Sequence, residues 1–464
     1  MYLMRKIPVT VRLLLYYLRK IKYNDNATRF DCAMREIIAM YEFLLQYLDE
    51  SKTAYQAHDN AVRYLQNNGF TELKENEVWK LARGDKRYVS RDGSALIAFR
   101  IGGKDGFSVV ASHDDSPAFK LKGTGEIEIG NMNKFNVEKY GGGIFYSWLD
   151  TPVTVAGRVI LSSGDKLEAR SFVSEHTFVI PSVAIHFNRA ANDGIKLNPQ
   201  VDMSPLTGIL SSSGLKEEIE EFAAGKEFIE GDLFVVSAQK PFVCGYRNEL
   251  LSSPRIDNLT SVCSSLEALC KAEPTAISVC YIADNEEVGS RTKQGAGSRF
   301  LPDTLYRIHR ALGGNEESFD VALANTFFLS CDNAHAMHPN HPELSDPTNK
   351  TLLGKGIVIK HHANQNYTSD AFSSAIAKNV FSKANAAYQD FYMRSDLPCG
   401  GTLGAISSSQ VSVRSADIGI AQLAMHSAVE TMALCDYDEM IKGLTAFYGT
   451  SFRADGSSVT ELIR

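Results

Sequence analysis

None of the eight cysteines, from Cys32 to Cys435, falls in a C-x-x-C pair, and no tight spacing groups them. A cysteine-built zinc motif or disulfide framework is therefore not what the sequence offers. The thiols read as buried and reduced, as in a cytoplasmic protein. There is no dominant basic stripe, and the formal net charge is -7, which argues against a nucleic-acid surface. No apolar run is long enough to span a bilayer. The opening stretch "MYLMRKIPVTVRLLLYYLRKIKYN" comes nearest, but Arg12 interrupts it and no small-residue cleavage site follows. Residues 1–33 read as an N-terminal extension, either a basic amphipathic helix or sequence upstream of a true start at Met34. Repeats and low-complexity segments are also missing. A chain of 464 residues exceeds one compact core, so two domains are expected.

What is present is an alternation of strands and helices. Apolar residues recur at helical spacing over 31–48 and again over Ala54–Asn67, closed by Gly69. "SALIAFRIG" and "FSVVASH" read as strands on either side of the turn "GGKDG". Beyond Lys122 the text becomes short-stranded and glycine-punctuated, and predicts a β-rich module over 125–240. Alternation then resumes: a helix over 259–271, a strand over 276–282, strands through "TFFLS" and "GIVIK", and a helix over 371–380. A last helix is predicted from Ile420, carrying "AQLAMHSAVETMAL". This pattern predicts an α/β domain, 34–124 with 241–464, built on a mostly parallel sheet flanked by helices.

The chemistry starts in "YIADNEEVGS", residues 281–290, where two acids sit side by side at the end of an apolar strand. Alone, such a pair reads more readily as a solvated turn than as a site. Other candidates fall at comparable places. His113 closes "FSVVAS", Asp257 precedes a helix, Asp332 follows "FFLSC", and His426 lies in the last helical pattern. In an α/β sheet, functional groups gather at the carboxyl ends of strands. Two imidazoles and three carboxylates are the donor set of a two-zinc hydrolytic site. Three carboxylates carry less charge than two zinc ions. The residual positive charge can polarise a carbonyl and acidify water, with the cations about 3.5–4 Å apart. Glu287 is then a ligand and Glu286 is left as general base. Asp115 can supply the acceptor that fixes the second ring nitrogen of His113.

The segments "SHDDSPAFKLK", "PRIDNL", "DNEEVGS", "SCDNAHAMHPN", "KGIVIKHHANQNYTSDA", "DLPCGGTLG" and "QLAMHSAVE" carry a resemblance. In this order, the chain resembles the M18 metalloaminopeptidase family, the group of aspartyl aminopeptidase and vacuolar aminopeptidase I. The resemblance implies a dizinc exopeptidase fold with an inserted β-rich dimerisation domain. It implies two Zn2+ per chain, replaceable by Co2+ or Mn2+, with Asp257 bridging. His113 and Asp332 would complete one site, Glu287 and His426 the other. His186 in "VAIHFNR" would reach the active site of a partner subunit. Lys360 would recognise an acidic side chain, with Tyr367 and Gly401 also near substrate. Dimers would assemble further, to a dodecamer. Asp114 departs from the pattern, since relatives usually carry Thr or Ile there. It would tune zinc affinity, disfavour acidic substrates, or point to solvent.

The expected activity is removal of N-terminal residues, acidic ones first, from peptide substrates, with no nucleic acid or membrane partner. A neutral, leucine-type preference is the alternative. A non-catalytic assembly protein on the same fold is a further one, but it would show a missing ligand, and none is missing.

Overall fold

The computed structural model describes residues 36–209 and 214–463. The basic opening stretch and Met34 lie outside the described residues. The chain divides into two compact units, 1–45 and 46–464. In the first, residues 36–40 are helical and the helix Glu42–Glu50 begins. In the second, Ala54–Asn67 is a helix as predicted. Thr53 and Gln56 form a reciprocal capping box at its start, satisfying two orphan amides. Gly69, at φ +82, ends it.

The main sheet has nine strands. Its centre runs Ile277–Ala283, Phe107–His113, Phe327–Cys331, Arg414–Gly419, all parallel to their neighbours. Ala95–Ile101 and Ile357–His361 join this centre antiparallel, within a sheet whose pairings are mostly parallel, as expected. The two innermost strands are buried along their whole length, as continuous apolar runs between helical layers must be. Alternation decides which way each residue faces. Phe107, Val109, Ala111, Ile277, Val279 and Tyr281 join Phe300, Leu305 and Leu403 in one core. Ser108 and Ser278 turn to the opposite face. There their hydroxyls donate to the carbonyls of Thr450 and Tyr448, at the end of the helix Leu434–Tyr448.

A second, seven-stranded antiparallel sheet is built from residues between Ala118 and Ser237. Its strand Glu227–Ser237 pairs with both Ala118–Ile129 and Pro152–Ser163, so the sheet closes on itself. Closure leaves Lys166–Val173 as the one edge strand of this sheet among the described residues, and leaves room inside for Phe119, Phe135, Trp148 and Val155. The strand Ala118–Ile129 starts just beyond His113, so this sheet is attached beside the candidate site.

One prediction fails. The segment from Ile420 is not a helix. Ala421–Leu423 and Glu430–Ala433 are strands of a five-stranded sheet, with a turn between them, and the helix starts only at Leu434. Apolar residues in "AQLAMHSAVETMAL" suit either period. Available partners decide: Ala421–Leu423 pairs with Ala334–His335, and Glu430–Ala433 with Leu250–Ser253. Ala424 and His426 then take left-handed backbone, at φ 57 and φ 68.

Gly419 shows how closely the sheet is fitted to the site. A Cβ there would lie 2.0 Å from the carbonyl oxygen of Asp332. That oxygen belongs to backbone and the Cβ is fixed to its own, so the clash is not relieved cheaply. Gly419→Ala should lower stability by about 1–3 kcal/mol, the usual cost of overpacking, and displace Asp332. Urea unfolding of the metal-free protein checks the first effect, and zinc affinity the second.

Candidate metal centre

Parallel register brings the functional loops to one edge. Ala283 lies opposite His113, and Ser330 opposite Ala111. The chain therefore emerges at the same level toward Asp114–Asp115, toward Glu286–Glu287 and toward Asp332. Asp257 comes from the first turn of the helix Ile256–Lys271, after Arg255 in left-handed conformation at φ 59. The Asp257–Asn258 peptide is cis. Asn258 Nδ2 donates to the Cys331 carbonyl at 2.8 Å and Ser116 Oγ to the Asp257 carbonyl at 2.8 Å. These bonds tie the segment to both neighbouring strand ends.

The five candidate ligands fall into two groups that share Asp257: His113, Asp257 and Asp332, and Asp257, Glu287 and His426. Within each, donor atoms lie within 4.8 Å of one another. His113 Nε2 is 3.6 Å from Asp257 Oδ1 and 3.8 Å from Asp332 Oδ1. His426 Nε2 is 3.4 Å from both Asp257 Oδ2 and Glu287 Oε1. Each oxygen of Asp257 thus serves one group. Asp257 Oδ1 and Glu287 Oε1 are buried without a hydrogen-bond partner. Buried, unsatisfied anionic oxygens facing imidazole nitrogens fit divalent zinc.

The electrostatics agree. Burial pushes the Asp257 carboxyl up, but the His113 and His426 imidazoles outweigh it and hold the group well below its usual range. Burial alone would lower His426; Asp257 and Glu287 instead raise it to about 10. Glu287 is pushed well above its ordinary value by burial, and Glu286 to about 8 by burial and by the carboxylates around it, against the pull of His113. The cluster thus holds protons that a divalent cation would displace.

Outer contacts set the orientation of these groups. The His113 Nδ1 partner is the main-chain oxygen of Asp115 at 3.1 Å; the nearer carboxylate oxygen stands at 3.4 Å. The Asp115 carboxylate instead accepts the backbone amides of Glu286 (3.0 Å) and Glu287 (3.1 Å) and the Tyr140 hydroxyl (2.7 Å). Asn285, left-handed at φ 60, donates to the same hydroxyl. His426 Nδ1 meets the Gly142 carbonyl at 3.1 Å. Gly141 lies against Glu287, where a Cβ would come 3.2 Å from the glutamate's own. Tyr140, Gly141, Gly142 and Glu430 were not among the sequence candidates. The glycine run in "GGGIFYSW" and the last residue of "QLAMHSAVE" were their only signals.

Asp114 does not point to solvent. It is 2% exposed, and neither carboxylate oxygen has a partner. It lines an internal space of about 50 Å³ with Lys52, Arg255, Asp284 and Glu430. Burial, then Asp284 and Asp115, push its carboxyl well up. Lys360 is also 2% exposed. Its ammonium donates to the Asn333 carbonyl at 3.1 Å, lies 3.8 Å from Asp332 Oδ2, and sits over the Tyr367 ring. Gly401 is exposed on the loop before Leu403–Gln410. His186 is exposed too, and among the described residues no hydrogen bond or ion pair joins it to the centre.

A family profile described as "Aminopeptidase I zinc metalloprotease (M18)" matches residues 47–448. The chain belongs to the M18 aminopeptidase family. It is 40% identical over 432 residues to a probable M18 family aminopeptidase 2 of Clostridium novyi, covering 89% of this chain and 99% of that one. A probable aspartyl aminopeptidase of Ricinus communis is 31% identical, covering 89% and 96%. Among solved structures, Ape4 in its complex with Nbr1 superposes with a TM-score of 0.85 at 31% identity, covering 92% of this chain and 87% of that one. This M18 aminopeptidase is therefore a peptidase, and it holds two groups of acids and imidazoles that could bind a metal ion.

In this M18 aminopeptidase Asp115 holds the main chain of the Glu286–Glu287 pair. Asp115→Asn keeps one accepting oxygen and loses the other. Turnover should fall about 10–100-fold, the usual effect of an outer contact to a metal site, with zinc content near normal. Tyr140→Phe should cost less, since it removes one bond of three. Elemental analysis beside kcat measurements checks both.

Proposed function

We propose that the protein removes single residues from peptide N-termini with two zinc ions per chain, Glu286 acting as general base. The observation that carries this is the pair of ligand groups sharing Asp257, with Glu286 beside them and outside both. Zinc, when bound, supplies polarisation of a carbonyl and acidification of water. Asp257 holds the two groups at fixed separation, and Asp115 holds the main chain of Glu286 so that its carboxylate can take a proton and return it to the leaving amine. Carboxylates of the site also suit a free α-amine, which limits cleavage to the first residue. Co2+ or Mn2+ would serve in place of zinc.

The preferred first residue is acidic on this reading. An ammonium has three donors, and Lys360 directs one to Asn333. The Ricinus relative's description as an aspartyl aminopeptidase points the same way. A neutral preference is the second reading, favoured by one observation: Lys360 is buried between Asp332 and the Tyr367 ring, where it balances a ligand's charge. Tyr367 and Gly401 belong to the substrate side on either reading.

The closed β-rich sheet is proposed as a dimerisation module, with His186 lent to a partner subunit and the dimers building a dodecamer. Support comes from the stretch around His186, where Val183, Ile185 and Phe187 are exposed, Phe187 to 87%. Apolar exposure of this kind marks an interface. The described free cysteines suit a cytoplasmic setting. No described helix is long and apolar enough to cross a membrane.

Amino-acid p-nitroanilides test the function. Zinc-loaded enzyme should release p-nitroaniline, and chelation should abolish the release. Glu286→Gln should lower kcat about 10²–10⁴-fold while both zinc ions stay bound; near-normal turnover would remove Glu286 from the role. Lys360→Leu should weaken acidic substrates by roughly 2–5 kcal/mol and spare Leu and Ala substrates. A wild type that prefers Leu, or a variant that loses both classes equally, gives the neutral reading.

A further inference from the structure

Glu430 belongs to neither ligand group, yet its carboxylate is bonded to the main chain of two candidate ligands. It is buried and begins the strand Glu430–Ala433, where it pairs with Ser253. One carboxylate oxygen accepts the backbone amide of Asp257 at 2.9 Å, and the other accepts that of His426 at 2.6 Å. Neither amide has a partner from regular secondary structure. Asp257 lies in the first turn of its helix, where amides are orphaned, and its own backbone is non-helical. His426 sits left-handed in a turn, a conformation that persists only where its surroundings hold it.

We propose that Glu430 is a positioning residue that locks the shared carboxylate of Asp257 to His426, and so sets the affinity of the Asp257–Glu287–His426 group more strongly than that of the other. The proposal rests on the two-zinc reading above. Its geometry is specific. The group of Asp257, Glu287 and His426 depends on a 3.4 Å approach between Asp257 Oδ2 and His426 Nε2. These two residues are far apart in sequence, and Glu430 is the side chain that ties their main chains together. The other group shares Asp257, but its two remaining members are anchored independently of Glu430. Asp332 is held through its amide to the Ile418 carbonyl, and His113 through Nδ1 to the Asp115 carbonyl. Glu430→Gln keeps size but leaves one accepting oxygen, and its amide nitrogen would face a backbone N–H.

The test is a zinc titration of chelator-stripped protein, read by competition with a chromogenic chelator. Wild type should show two binding steps, and His426→Ala marks which step belongs to its group. Glu430→Gln should weaken that same step about 10–100-fold and leave the other within a few-fold. Turnover lost at limiting zinc should return at excess zinc. Glu430→Asp, which keeps both oxygens on a shorter arm, should recover part of the affinity, and it gives the same readout if the Gln variant does not fold. Two steps weakened equally, or two unchanged steps with only a lower Tm, would overturn the proposal. A wild type with a single zinc step would reject the two-zinc reading itself.

Discussion

Everything at the site depends on one buried carboxylate facing two imidazoles. Asp257 is nearly inaccessible to water, and each of its oxygens lies within 4 Å of a different histidine. A carboxylate cannot stay ionised in such a place without opposite charge. The fold supplies that charge, and supplies it symmetrically. The requirement explains why Asp257 is held from several directions at once, by Ser116 and Asn258 toward the strand ends and by Glu430 from the five-stranded sheet.

The same constraint explains the attachment of the second sheet. The closed antiparallel sheet is not remote from the chemistry. The end of its strand Met132–Tyr140 supplies the Tyr140 hydroxyl to Asp115, and the loop that follows supplies the Gly142 carbonyl to His426. Ala428, next to the His426 turn, packs in return into that sheet's core. Orientation of one histidine and of the glutamate pair is thus shared between the two sheets. Anything that moves the closed sheet, a partner subunit included, is mechanically connected to the centre.

Burial sets the surroundings of two charged side chains near the centre. Asp114 is buried beside Asp284 with no bond to its carboxylate. Burial and the neighbouring acids favour its neutral form, so it faces the centre from behind as a protonated acid rather than from solvent as a charge. Lys360 sets its ammonium against Asn333, Asp332 and Tyr367. Neither placement is legible in sequence, because an aspartate after a strand and a lysine at a strand end look the same whether they turn outward or inward.

The sequence by itself determined the strand-and-helix alternation and the identity of the five candidate ligands. Apolar runs such as "FSVVASH" and "AISVCYIA" admit little but buried strands, and acids or imidazoles at their ends are expensive to leave there without a purpose. Its long motifs also carried the family. Tertiary structure decided the rest. It turned the predicted helix at Ile420 into two strands, because edge strands were waiting to pair with them. It gave the His113 nitrogen to a main-chain carbonyl and the Asp115 carboxylate to the amides of the glutamate pair. It also recruited Tyr140, Gly142 and Glu430. Periodicity reports which face of an element is buried; it carries no information on which distant amide or carbonyl will lie across from a side chain once the sheets have docked.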